Sequence, residues 1–310
     1  MSRTNTIALG VVLAGLAGTG MAQAQDRSGP PPVLSISREE IKPGRMAAHE
    51  KLNAAYAAVV SKTTSRTTWL GLVPVSGDDN GALFLSAFGS FAEVESQRKE
   101  DDEVTSAAAV KAEMDALDKQ GADIHATQRT SYARYRADLS FHPATMEEVA
   151  QSRYFSITTV RVKYNRGPDY VEYVKAMNAA REKANFPAKV AVYQVTTGAP
   201  LGTFLIFRAL KSLKTFDDDI AAMSGIEKAL VEAEGGEDAA RKLRLAGADV
   251  VQFADPVIYA MNPKMSRPSA EFAKYDLAFW SPKPAETRTA AAKPGATKQP
   301  AAVKKEAPKQ

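Results

Sequence analysis

The chain has 310 residues, a net charge of +4, three histidines and no cysteine. The missing thiols exclude disulfides, thiolate metal centres, a cysteine nucleophile and a lipid-modified cysteine anchor. The positive charge sits at the ends: residues 25–281 net −2, the wrong sign for a nucleic-acid binder, so no nucleic-acid partner is expected.

Residues 1–24 read as a signal peptide, with Arg3 ahead of an apolar run from Ile7 to Ala17 and the small-x-small pattern Ala22-Gln23-Ala24 at the end. The run is too short to span a bilayer, and no later stretch stays apolar for eighteen residues. The expectation is therefore an exported protein, periplasmic or secreted, without a membrane span. A linker, 25–32, leads into the body.

Two β-rich runs, "VLSISRE" (33–39) and "RYFSITTVRVK" (153–163), each meet a breaker, "KPG" and "NRGP". Helical spacing follows, at Leu52, Tyr56 and Val59 in the first case and at Tyr170, Val174 and Met177 in the second. Next come two strands around a glycine-bearing turn: "TTWLGLVPV" to "ALFLSAF" through Gly77 and Gly81, and "KVAVYQV" to "TFLIF" through Gly198 and Gly202. These glycines are expected to supply positive φ. Helical regions over 91–120 and 213–246 then stop at Gly121 and Gly247, expected as C-caps, and last strands lie near 125–141 and 249–262.

The matching residues recur at an offset of 121 to 126, as when one unit is written twice with small loop insertions. The fold class expected is α+β: two tandem ferredoxin-like β-α-β-β-α-β units, 33–142 and 153–262, joined by a connector at 143–152 and packed sheet to sheet as an intramolecular barrel. An extension covers 263–281. The tail 282–310 is Ala/Pro/Lys-rich, has almost no large apolar residues, and is expected to be disordered. It reads either as a solubilising tail or as a contact for anionic envelope surfaces.

The segments "EEIKPGRMAAHEKLNAAY" and "ALFLSAFGSFAEVE", with their second-half partners, resemble the dimeric α+β barrel superfamily, nearest to NIPSNAP-like and antibiotic-biosynthesis-monooxygenase-like domains. The resemblance covers about 33–262 and rests on motifs that are not catalytic. It implies a superfamily that includes cofactor-independent and haem-using monooxygenases, and fold alone does not choose among them.

His49 shares the helix stripe of Leu52 and Tyr56 and so faces the sheet. It reads as a catalytic proton shuttle or axial haem ligand, or as a histidine at the core edge bonded to backbone. "HEKLN" starts like a zincin motif but carries Asn53 where the second histidine belongs, and a site using His49, His125 and His142 would need folding to assemble; no metal is expected. Arg38 and Arg161 fall at equivalent strand ends and read as carboxylate or phosphate ligands or as snorkelling side chains. Tyr135 and Tyr259 lie seven residues from Gln128 and Gln252, so strand parity puts tyrosines and glutamines on opposite faces. Trp69 has Val190 at its equivalent position in the other unit, 121 residues on, and, with His49 and Arg38, is expected to border a cavity.

No cofactor is required by these residues, and haem is the one that the resemblance admits. Three functions follow as expectations. The first is a barrel that binds a small apolar or aromatic molecule between its sheets. The second is a monooxygenase-like oxidoreductase using His49, and the third a structural envelope protein.

Overall fold

The computed structural model describes residues 29–281. The expected signal peptide and the basic tail lie outside the described residues.

The first half runs β1 (Val33–Ile41), α1 (Met46–Ser61), β2 (Trp69–Pro74), β3 (Gly81–Phe88), α2 (Phe91–Ser106), α3 (Ala108–Ile124) and β4 (His125–Tyr135). A short α4 (Met146–Ala150) lies in the connector, held by a capping box between Thr145 and Glu148. The second half runs β5 (Tyr154–Val162), α5 (Gly167–Lys183), β6 (Ala191–Thr197), β7 (Thr203–Leu210), α6 (Lys214–Glu234), α7 (Glu237–Val250) and β8 (Val251–Arg267). Two one-turn helices follow, α8 (Ala270–Ala273) and α9 (Leu277–Trp280).

Both halves thus follow β-α-β-β-α-β, with the second helix broken in each. The causes of the break differ. Ala107 is extended between α2 and α3 (φ −61°, ψ 128°), whereas Gly235 and Gly236 both take positive φ (102° and 98°) between α6 and α7. The sheet order is β1-β3-β2-β8-β5-β7-β6-β4, with β4 returning to β1, so eight strands close into one barrel. All of the pairs are antiparallel.

Strand alternation sorts the core. Leu34 and Ile36, Leu83 and Leu85, Ile157, Val195, Leu205 and Phe207 point into the barrel. Outward residues meet the helices: Ile41 packs with Leu52, Val59 and Leu117, and Val160, Val162 and Phe204 pack with Tyr170 and Val250. Fully burying a side chain such as Ile36 stabilises by roughly 1.5–3 kcal/mol, so barrel and helix layers form two comparable sources of stability.

Three expectations are corrected. Gly121 and Gly247 do not end helices; α3 and α7 continue to Ile124 and Val250. Gly247 serves close packing instead, since a Cβ there would lie 2.6 Å from Cζ of Tyr173, whereas a Cβ on Gly121 would meet only ordinary contacts at 3.5 Å and beyond. Gly77, Gly198 and Gly202 have positive φ, but Gly81 does not: it already pairs with Glu40 as the first residue of β3. The extension at 263–281 is not separate from the second unit, because β8 runs on to Arg267, which pairs with Trp69 of β2.

Candidate functional site

One end of the barrel is open beneath a rim of loops. There a cavity of about 490 Å³ is walled by inward residues of both halves, among them Leu34, Leu70, Phe155, Tyr193 and Phe207. Its volume falls within the range of small-molecule pockets, roughly 300–1,000 Å³. The period-2 pattern of β-strands places these side chains inside, and small residues, Ala191 and Ala209, leave the space between them. Polar and charged residues share the lining, among them Thr68, Glu93, Gln97, Lys189 and Glu271.

Chain segments from both ends of the described body shape this mouth. On the N-terminal side, the Tyr193 hydroxyl donates to the carbonyl of Pro31 at 3.0 Å. Burial pushes that phenol well above its ordinary range, and neighbouring Tyr135 adds to the effect. On the C-terminal side, Phe272 lines the cavity and Trp280 packs into the barrel cluster. Arg153 binds Asp276 at 2.5 Å and lies over the ring of Phe279, which fastens this segment down.

Of the residues read as ligand contacts, Trp69 alone lines this cavity. It does so from the outer face: its indole N–H donates to the carbonyl of Met265 at 2.8 Å, and its ring packs against the cluster of Ala82, Phe84 and Met265. Arg38, Arg161 and Tyr259 do point inward, but deeper in the barrel and away from the mouth. Arg38 Nη1 donates to the Tyr259 hydroxyl at 3.4 Å, and Arg161 Nη1 donates to Thr203 Oγ1 at 3.2 Å. Tyr135 packs against Tyr193 with the rings tilted by 53° and their centroids 5.5 Å apart, and it does not line the cavity. The cavity expected beside His49, Trp69 and Arg38 is therefore displaced: Arg38 and His49 do not border it.

His49 occupies the opposite side of the sheet, between β1, α1 and the start of β4, and is fully buried. Its Nε2 lies 2.7 Å from Oε2 of Glu39, and Nε2 of His125 lies 3.1 Å from the same oxygen. Gln128 donates to Oε1 of Glu39 at 2.7 Å. His142, the third histidine, is exposed and pairs with Glu182 at 2.8 Å, away from this cluster. Glu39 has no distinguishing sequence motif. Alternation along β1 sets it on the face opposite to Arg38, and that parity is the one signal the sequence holds for it.

These positions bear on haem. An axial ligand needs an imidazole nitrogen open to a cavity wide enough for the macrocycle. His49 has no exposed surface, its Nε2 faces Glu39, and the cavity lining holds no histidine. His49 does not fit as a haem ligand, nor as a proton shuttle to the cavity.

No family model and no curated protein matches the chain. Several solved structures overlap it. An anthrone oxidase-like protein aligns at 11% identity, covering 77% of this chain and 92% of its own, with a TM-score of 0.47. A monooxygenase candidate from Lactobacillus acidophilus NCFM aligns at 9% identity, with coverages of 74% and 94% and a TM-score of 0.43. Chlorite dismutase from Candidatus Nitrospira defluvii aligns at 8% identity, with coverages of 79% and 95% and a TM-score of 0.43. Overlap at this level adds nothing to what strand order and side-chain geometry already establish about this chain. Among the described residues no helix is long and apolar enough to cross a membrane.

Proposed function

We propose that this protein binds a small, largely apolar or aromatic molecule in the barrel mouth. The observation that carries the reading is the 490 Å³ cavity, whose lining is mainly apolar, with leucine, phenylalanine, tyrosine and alanine side chains, and also includes the charged residues Glu93, Lys189 and Glu271. Such a wall releases water when an apolar body enters, and buried apolar area contributes roughly 25 cal/mol per Å². The rim would orient a single polar substituent toward solvent. The proposed setting is outside the cytoplasm, as the leader-like residues 1–24 suggest, and the mass of the protein recovered from an envelope fraction tests that. The shared strand order of the halves supports reading them as copies of one unit.

The probe for the cavity is anilinonaphthalene sulfonate, an aromatic dye with one charged group. It should bind the full chain at one equivalent, with enhanced fluorescence. Ala209→Phe, which fills the cavity from β7, should weaken the dye at least tenfold while the fold is retained by circular dichroism. Equal dye binding by both proteins, or none by the wild type, rejects the reading.

A further inference from the structure

We propose that Glu39, His49 and His125 form a site for one divalent transition-metal ion, on the outer face of β1 and separate from the barrel cavity. The three ligand atoms all lie within 4.8 Å of one another. They come from three elements: β1 supplies the carboxylate, α1 supplies His49, and β4 opens on His125 where α3 ends.

The hydrogen bonds around the cluster show lone pairs meeting lone pairs. Nδ1 of His125 lies 3.0 Å from the carbonyl of Gly121, which can only accept, so the N–H of a neutral ring is on Nδ1. Nε2 then offers a lone pair to Oε2 of Glu39. Asn53 is oriented the same way: its Nδ2 lies 3.0 Å from the His49 carbonyl, again an obligate acceptor. The same amide nitrogen is 3.0 Å from Nε2 of His49, so that its other N–H points at a ring lone pair. In that tautomer the second lone pair on Oε2 also faces nitrogen. A cation among the three atoms takes up the lone pairs of Oε2 and of both Nε2 atoms; Asn53 keeps its bond to the His49 carbonyl, and the His49 proton then sits on Nδ1, which is buried without a hydrogen-bond partner.

The surroundings have the features of a metal site's outer shell. One imidazole is fixed through Nδ1 by a backbone carbonyl, and the carboxylate is fixed through Oε1 by Gln128. Glu39 and His49 are 8% and 0% exposed in their side chains, and no Lys or Arg among the described residues pairs with that carboxylate. His125, at 22%, is the side from which an ion and a water ligand enter. Two imidazoles and one carboxylate suit Zn(II), Co(II) or Fe(II). Bonds of about 2.0–2.1 Å at tetrahedral angles hold donors roughly 3.3 Å apart, so the present 2.7 and 3.1 Å separations open by a few tenths of an ångström on loading.

The test strips the full chain with a chelator and titrates it with Co(II), followed by visible absorption, and with Zn(II), followed by calorimetry. The wild type and His142→Ala should each bind one equivalent, with an intense tetrahedral Co(II) spectrum. His125→Ala and Glu39→Gln should lose at least a hundredfold in affinity. Gln128→Ala keeps every ligand and should lose roughly tenfold, which serves if a ligand variant does not fold. A wild type that binds neither ion marks the cluster as one that shares protons and overturns the site. So does metal affinity that none of these substitutions in the cluster changes.

Discussion

Trp280 donates its indole N–H to the carbonyl oxygen of Ala150 at 2.8 Å, tying the last helical turn of the body to the connector between the halves. Both partners are buried, Trp280 at 4% and Ala150 at 0% exposure. Trp280→Phe removes the bond and leaves a buried carbonyl without it, an expected loss of about 1–3 kcal/mol. Trp280→Ala adds a void and should cost about 3–5 kcal/mol. Urea unfolding of both variants checks the order. If Trp280→Ala is no worse than Trp280→Phe, the ring packs less tightly than described.

The two hairpin turns use glycine for different reasons. At Gly198, with φ +84°, a Cβ would sit 2.6 Å from Cα of Ser131 and closer still to the Thr130 carbonyl, so β4 itself excludes a side chain. At Gly77, with φ +89°, the nearest atoms are the Val257 methyls at 3.5 Å. Gly198→Ala should therefore destabilise by about 3 kcal/mol or more, and Gly77→Ala by about 1 kcal/mol from backbone strain alone. Gly225, inside α6 with open space around it, should gain about 1 kcal/mol on replacement by Ala. Melting temperatures of the three variants test the ranking.

Glu50 gives an acid-side signature. The Asn262 amide and the Lys264 ammonium bind its two oxygens at 3.0 Å each, and they hold its carboxyl below the usual value of 4.5 against the opposing effect of burial. A depressed folded pKa contributes stability above the unfolded value that is lost as pH falls through the folded one. The pair is partly exposed, so Glu50→Gln should cost only about 0.5 kcal/mol at neutral pH. That cost should shrink as pH falls below 4.5 and through the lowered folded value, where Glu50 becomes uncharged like the glutamine that replaces it. Denaturant midpoints measured across this interval decide, and a penalty constant with pH contradicts the assignment.

Tyr193 reports on the mouth. Tyr193→Phe removes the hydroxyl bond to Pro31 with little change in volume, for an expected loss of about 1 kcal/mol. Proteolysis near residues 29–32 should accelerate while the barrel stays intact. An unchanged cleavage rate there means that Pro31 is held by other contacts.

The barrel was legible because alternation and helical spacing are local, and eight strands carried them clearly. Parity alone put Gln128 on the face opposite Tyr135, which is where it reaches Glu39. What escaped needed register between distant segments. The sequence around His49 lacks a second histidine one turn on, and only the pairing of β1 with β4, Ile41 beside His125, brings the other imidazole in. The cavity was misplaced for a related reason. Its mouth is shaped by residues near 30 and 272, whose positions depend on the completed barrel and not on any local pattern.

The closed ring has one more consequence. Its two closing joints, β2 with β8 and β4 with β6, both run between the halves. Either half expressed alone would present two raw strand margins and half of an apolar lining, with nothing in its own chain to cover them. The molecule is in that sense indivisible. Cutting between the halves leaves two pieces that must find each other, or a second copy of themselves, before either is a stable body.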